Sequence, residues 1–103
     1  MIVKFKNFYL QRLFEGEDVP GKPKYDKAVI IKFKKTILKL QFANSITEIR
    51  QQKGLNFESL KGDLKGYFSV RVDYNYRLIL TIENDKIEIS EIILIHFLTN
   101  HYQ

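Results

Sequence analysis

At 103 residues the chain has room for one domain around one core, spanning residues 1–103. The absence of cysteine excludes disulfides and thiolate chemistry, and a net charge of +5 points to an acidic partner, nucleic acid or protein. No stretch is long and apolar enough to span a membrane, and the start Met1-Ile2-Val3-Lys4-Phe5-Lys6 lacks the layout of a signal peptide, so a cytoplasmic protein with no membrane contact is expected.

In chain order, Ile2 to Lys6 alternates apolar and polar residues and reads as a short strand. Asn7 is placed to cap a brief helix carrying Phe8, Leu10, Leu13 and Phe14, which Gly16 stops. Glu15 to Pro23 holds both prolines and is a loop. The longest helix runs from Lys24 or Tyr25 to about Ala43. Tyr25, Val29, Phe33 and Leu40 head its apolar side, and Lys27, Lys34, Lys35 and Lys39 lie mostly away from it. Ser45 with Glu48 forms a capping box for a short helix to about Gln52. Gly54 to Ser59 then leads into a loop.

Two alternating strands follow. Phe68, Val70 and Val72 share one face of the first; Tyr76, Leu78, Leu80 and Ile82 share one face of the second. A two-residue turn at Tyr74-Asn75 would mix the faces. A three-residue loop, Asp73-Tyr74-Asn75 with Asn75 left-handed, pairs Val70 with Leu78 and Arg71 with Arg77. That register sets two arginines side by side on the face away from the core, where like charges need a carboxylate or a phosphate to offset them. Glu83-Asn84-Asp85-Lys86 reads as a second, two-residue turn, which would set Ile82 opposite Ile87 and Leu80 opposite Ile89. The alternation should then break near Ser90-Glu91. Ile92 to Phe97 is apolar apart from His96, whose position suggests a packed core or strand-end residue, with the role of acid as its alternative should His101 not reach the site.

The expected fold is α+β: an N-terminal strand and two to three helices packed on a mainly antiparallel four-stranded sheet. The N-terminal strand joins one edge, which the sequence does not specify. Two histidines and no cysteine make a metal site unexpected, and Gly62 and Gly66 precede a strand rather than the helix a phosphate-binding loop requires. Neither metal nor cofactor is therefore implied. What remains is an acid–base set suited to RNA, which needs a base for the 2′-hydroxyl, cations for the phosphate and an acid for the leaving oxygen. Glu58, Arg77 and His101 have the chemistry for these roles. Positive charge gathers in the first two-thirds of the chain, most densely from Lys22 to Lys39, although a lysine run is ordinarily a solvated helix face.

The run Leu60-Lys61-Gly62-Asp63-Leu64-Lys65-Gly66-Tyr67-Phe68-Ser69-Val70-Arg71-Val72, followed by Tyr76-Arg77-Leu78, resembles the signature of the RelE/ParE toxin superfamily, in particular its HigB-like branch. The resemblance is close over the last half of the chain and one of layout over the first. It implies the toxin of a type II toxin–antitoxin system acting as a ribosome-dependent mRNA endonuclease. The other activity within the superfamily, a ParE-like gyrase inhibitor that binds protein without chemistry of its own, is the alternative. For the nuclease, the resemblance implies Glu58 as base, Arg77 in the second strand and His101 as acid. Lys61, Lys65 and Arg71 then contact RNA, and Tyr102 stacks on a base. The implied partners are a cognate helix-turn-helix, HigA-like antitoxin, the ribosome and mRNA, with operator DNA met only through the antitoxin complex. The chain departs from the HigB-like pattern at its end. It has Asn100-His101-Tyr102 where that branch often has an acidic residue before Tyr-His, and more residues precede this His-Tyr pair.

Overall fold

The computed structural model describes residues 1–17, 21, 24–85 and 90–100. The described elements are strand β1 (Ile2–Phe5), helices α1 (Phe8–Glu15), α2 (Lys27–Phe42) and α3 (Ile46–Gln51), and strands β2 (Glu58–Ser59), β3 (Phe68–Arg71), β4 (Arg77–Asp85) and β5 (Ser90–Thr99). The sheet has five strands in the order β1-β5-β4-β3-β2. The fold class is as expected, but the strand count is corrected from four to five. The additional strand, β2, is a two-residue edge that pairs Glu58 with Ser69 and Ser59 with Phe68. Such a strand is too short for a period-2 pattern to show.

Local signals set the helix ends. The Asn7 side chain accepts the Leu10 N–H at 3.1 Å, and Gly16 closes α1 in the left-handed region at φ 78°. Ser45 Oγ accepts the Glu48 N–H at 3.2 Å, while the Glu48 carboxylate accepts from the Asn44 N–H at 2.8 Å, one residue earlier than in a standard capping box. Helix α2 lies on the sheet through Val29, Phe33, Ile37 and Leu40, which join Leu10, Ile49, Val70, Leu78, Leu80, Ile93, Ile95 and Leu98 in one core. The N-terminal edge is settled too. β1 pairs in parallel with β5, Val3 opposite Ile93 and Phe5 opposite Ile95.

The β3–β4 register is the expected one, Val70 opposite Leu78 and Arg71 opposite Arg77. The loop holds it by another device. Asp73 Oδ1 accepts the N–H groups of Asn75 and Tyr76, both at 2.8 Å, and Asn75 is not in the left-handed region. The β4–β5 register differs from expectation. Ile82 pairs with Ile93 and Leu80 with Ile95, because β4 continues to Asp85 opposite Ser90. The expected partners Ile87 and Ile89, with Lys86, lie outside the described residues. The break in alternation falls at His96, not near Ser90-Glu91. Ile79 pairs with Phe97 and the next residue, Leu80, with Ile95.

Candidate functional site

The helices cover one face of the sheet, and the candidate residues gather on the other, the outer face. Alternation along β3 sends Phe68 and Val70 to the core and Ser69 and Arg71 outward. Ser69 is nonetheless fully buried, and so is Arg77, which is 2% exposed. The two arginines that the register brings together part company. Arg71 stays in solvent, whereas Arg77 turns inward and its guanidinium is taken up by protein acceptors. Its Nε donates to Ser69 Oγ at 2.8 Å, and its Nη2 donates to the carbonyl of Asn56 and, at 3.4 Å, to that of Ser69. Nη2 also lies 3.9 Å from the Glu58 carboxylate, whose side chain is 49% exposed. The expectation of an Arg77 fork open to phosphate is corrected on this point. Burial of a charge of this kind requires hydrogen-bonded partners, and Ser69 and Asn56 supply them.

The segment bearing Glu58 is anchored from beneath. Leu55 and Leu60 are buried, Phe57 stacks on Phe68 at 5.1 Å between ring centroids, and the Arg50 guanidinium lies 4.8 Å from the centre of the Phe57 ring. With Phe57 turned inward, alternation turns Glu58 outward. Asn56 adopts φ 43°, the only described non-glycine residue at positive φ, and this aims its carbonyl at Arg77. Beyond β2 the chain makes a 3₁₀ turn at Gly62–Leu64, with the Lys65 N–H donating to the Gly62 carbonyl at 3.1 Å and the Tyr67 N–H to that of Leu64 at 2.9 Å. Gly62 and Gly66 take φ 65° and 94°, which a side chain disfavours. The turn leaves Lys61 and Lys65 exposed, and among the described residues neither they nor Arg71 make an ion pair.

The structure therefore brings Glu58, Arg77 and Ser69 together on the outer face, with Arg71 exposed at the turn end of β3 and Lys61 and Lys65 exposed in the turn that precedes it. His101 and Tyr102 lie outside the described residues.

Residues 3–93 match the family described as RelE-like toxin of type II toxin-antitoxin system HigB. The chain belongs to this family. A YoeB/ParE toxin from Agrobacterium tumefaciens has a similar structure, with a TM-score of 0.58 and 18% identity over 99% of this chain and 100% of that one. Another is YoeB of Staphylococcus aureus in a heterotetrameric YoeB-YefM toxin-antitoxin complex, with a TM-score of 0.56 and 22% identity over 99% and 98%. At these identities the likeness is one of fold. No curated protein matches the sequence. Among the described residues of the toxin no helix is long and apolar enough to cross a membrane.

Sequence reasoning missed Ser69 and Asn56. Ser69 has the pattern of an ordinary strand residue; its signal was the register itself, which sets it two residue pairs from Arg77, on the same face of the sheet. Asn56 carried only its general tolerance of the left-handed region. His96 is not in the core, which corrects the first of its two expected placements; it lies in the C-terminal half of β5. Its Nε2 lies 2.8 Å from Thr81 Oγ1 on the outer face, with the Tyr67 ring edge-on at 5.0 Å. Burial, reinforced by nearby Lys6 and opposed by Glu83, holds the His96 imidazole below the ordinary histidine range.

Proposed function

We propose that this toxin cleaves mRNA on the ribosome, with Glu58 as the general base. The observation that carries the reading is the half-exposed Glu58 carboxylate held over the buried Arg77 charge, with exposed cations at both ends of β3, Arg71 at one and Lys61 and Lys65 before the other. Glu58 takes the proton of a 2′-hydroxyl, and the 2′-oxygen attacks the adjacent phosphorus. The bond to the 5′-oxygen breaks, and that oxygen takes a proton from His101. The products are a 2′,3′-cyclic phosphate and a 5′-hydroxyl. Lys61, Lys65 and Arg71 hold the phosphate chain by charge. Arg77 fixes the Glu58 segment and places a positive charge behind the reacting phosphate. Tyr102 stacks on a base beside the cleaved bond. The roles of His101 and Tyr102 rest on the resemblance of the terminal His-Tyr to that of ribosome-dependent nucleases.

The toxin's partner is a cognate antitoxin of the helix-turn-helix, HigA-like kind, encoded alongside it and acting in the cytoplasm. It neutralises the toxin by covering the basic surface, and the complex binds operator DNA through the antitoxin. The heterotetrameric YoeB-YefM complex of the S. aureus protein supports such a pairing.

The test uses purified 70S ribosomes programmed with a defined mRNA, read by primer extension. Codon-phased cleavage by the wild type, lost in Glu58→Ala and in His101→Ala, is the expected result. Cleavage retained in Glu58→Ala removes the base assignment. An active preparation that arrests growth, leaves mRNA intact and alters DNA supercoiling replaces the nuclease by a gyrase inhibitor.

A further inference from the structure

The register slip in β5 has a consequence for the outer face. Ile95 and Leu98 both lie in the core, yet they are three residues apart, where strict alternation would put them on opposite faces. The slip between Ile79 and Leu80 reconciles them: Phe97 faces Ile79 and Ile95 faces Leu80, and His96 is left with no partner on β4. His96 and Phe97 therefore both turn to the outer face. Bulges of this kind recur next to active sites, where they re-aim side chains.

The two rings join a third. His96 is pinned to Thr81, the Tyr67 ring meets it edge-on at 5.0 Å and 68°, and the Phe97 ring lies 6.1 Å away at 46°. Phe97 is 50% exposed, an unusual place for a phenyl ring on a sheet whose other face already holds the core. It also lies in line with the candidate site. Glu58 pairs with Ser69, Ser69 with Ile79, and Ile79 with Phe97. The Ser69 hydroxyl that receives Arg77 is thus two strands from Phe97, roughly 10 Å at ordinary strand spacing. That separation suits a nucleotide whose phosphate lies at one end and whose base lies at the other.

We propose that Phe97, with His96 and Tyr67 beside it, forms a stacking platform for an unpaired RNA base next to the phosphate addressed by Glu58. The assignment of that RNA as the substrate rests on the nuclease reading above. Aromatic rings among polar edges and nearby cations bind unpaired bases without strong sequence preference, since every base has a π-face.

Two measurements test the platform. The first is binding of the full chain to a single-stranded decaribonucleotide carrying 2-aminopurine, whose fluorescence is quenched on stacking. Wild type quenches it. Phe97→Leu, apolar but without a ring, binds about tenfold more weakly, equivalent to about 1.4 kcal/mol, and Phe97→Tyr restores both binding and quenching. Wild-type affinity and quenching in Phe97→Leu, or no quenching by wild type, overturns the platform. The second is cleavage on programmed ribosomes. The half-saturating toxin concentration rises about tenfold in Phe97→Leu while the rate at saturation holds, and an unchanged half-saturation also overturns the proposal. Quenching by a wild type that leaves ribosomal mRNA intact supports the platform while removing the nuclease reading. Cleavage indifferent to Phe97 does the reverse.

Discussion

The Nε of Arg77 on β4 donates to the hydroxyl of Ser69 on β3 at 2.8 Å, and both side chains are buried. This bond lets two arginines occupy opposed positions without repelling across the sheet. One is drawn under the Asn56–Glu58 segment, and the other is left to solvent.

Removing the hydroxyl leaves a buried charged donor short of a partner. Ser69→Ala is therefore expected to destabilise the toxin by about 1–3 kcal/mol. Arg71→Ala, at the exposed member of the arginine pair, should stay within about 0.5 kcal/mol of wild type. Urea denaturation of the two variants side by side measures the contrast. Equal midpoints would mean that the Ser69–Arg77 bond contributes nothing to the fold.

Glu58 lets chemistry and stability be separated. Its carboxylate is half exposed and 3.9 Å from Arg77, so the ion pair contributes little to folding. Glu58→Gln keeps the shape and removes the base. Cleavage on programmed ribosomes should fall by about 100-fold or more, with a thermal midpoint close to wild type. A normal rate in a folded Glu58→Gln protein would exclude this carboxylate as the base.

The sequence made the β3–β4 pairing legible because both strands bury one face, and a slip of one residue would expose that whole face. The helices were legible for a similar reason: Asn7, Gly16 and Ser45 each mark an end by a local hydrogen bond or a backbone conformation. The β4–β5 pairing was not legible. Ile82, Ile87, Ile89, Ile92, Ile93 and Ile95 offer several registers that all look apolar, and the His96 bulge breaks the parity on which such counting depends. The site was half legible. Glu58, Lys61, Lys65, Arg71 and Arg77 came from motif and resemblance. Ser69, Asn56 and the outward turn of His96 and Phe97 arise only from contacts made across strands.

Two asparagines provide a backbone test. Asn56 sits at φ 43°, a conformation unfavourable for residues with a β-carbon, whereas Asn75 does not have positive φ. Asn56→Ala should cost about 1–2 kcal/mol, and Asn56→Gly should recover most of that loss. Asn75→Ala should be close to neutral, because Asp73 rather than a left-handed residue holds the loop. Asp73→Ala, which removes the acceptor of two N–H bonds, should cost about 1–2 kcal/mol. Chemical denaturation of the four variants would show a different turn if Asn75→Ala proved the costlier asparagine change.

Acid sensitivity should trace in part to His96. Desolvation and Lys6 disfavour its charged form, Glu83 favours it less strongly, and Thr81 and Tyr67 close around the ring. The folded-state value thus lies below the ordinary 6.5, so between the two values the unfolded chain binds more protons than the folded one. Stability is full above about pH 6.5, begins to fall as the pH drops through that value, and goes on falling until the pH has passed below the folded-state value. His96→Gln cannot titrate and should flatten this part of the stability profile; loss of the imidazole's Thr81 contact lowers the curve as a whole without changing its slope. Urea midpoints from pH 7.5 down to 5 for both proteins measure the slope. The same slope in wild type and His96→Gln would assign the acid sensitivity to the carboxylates instead.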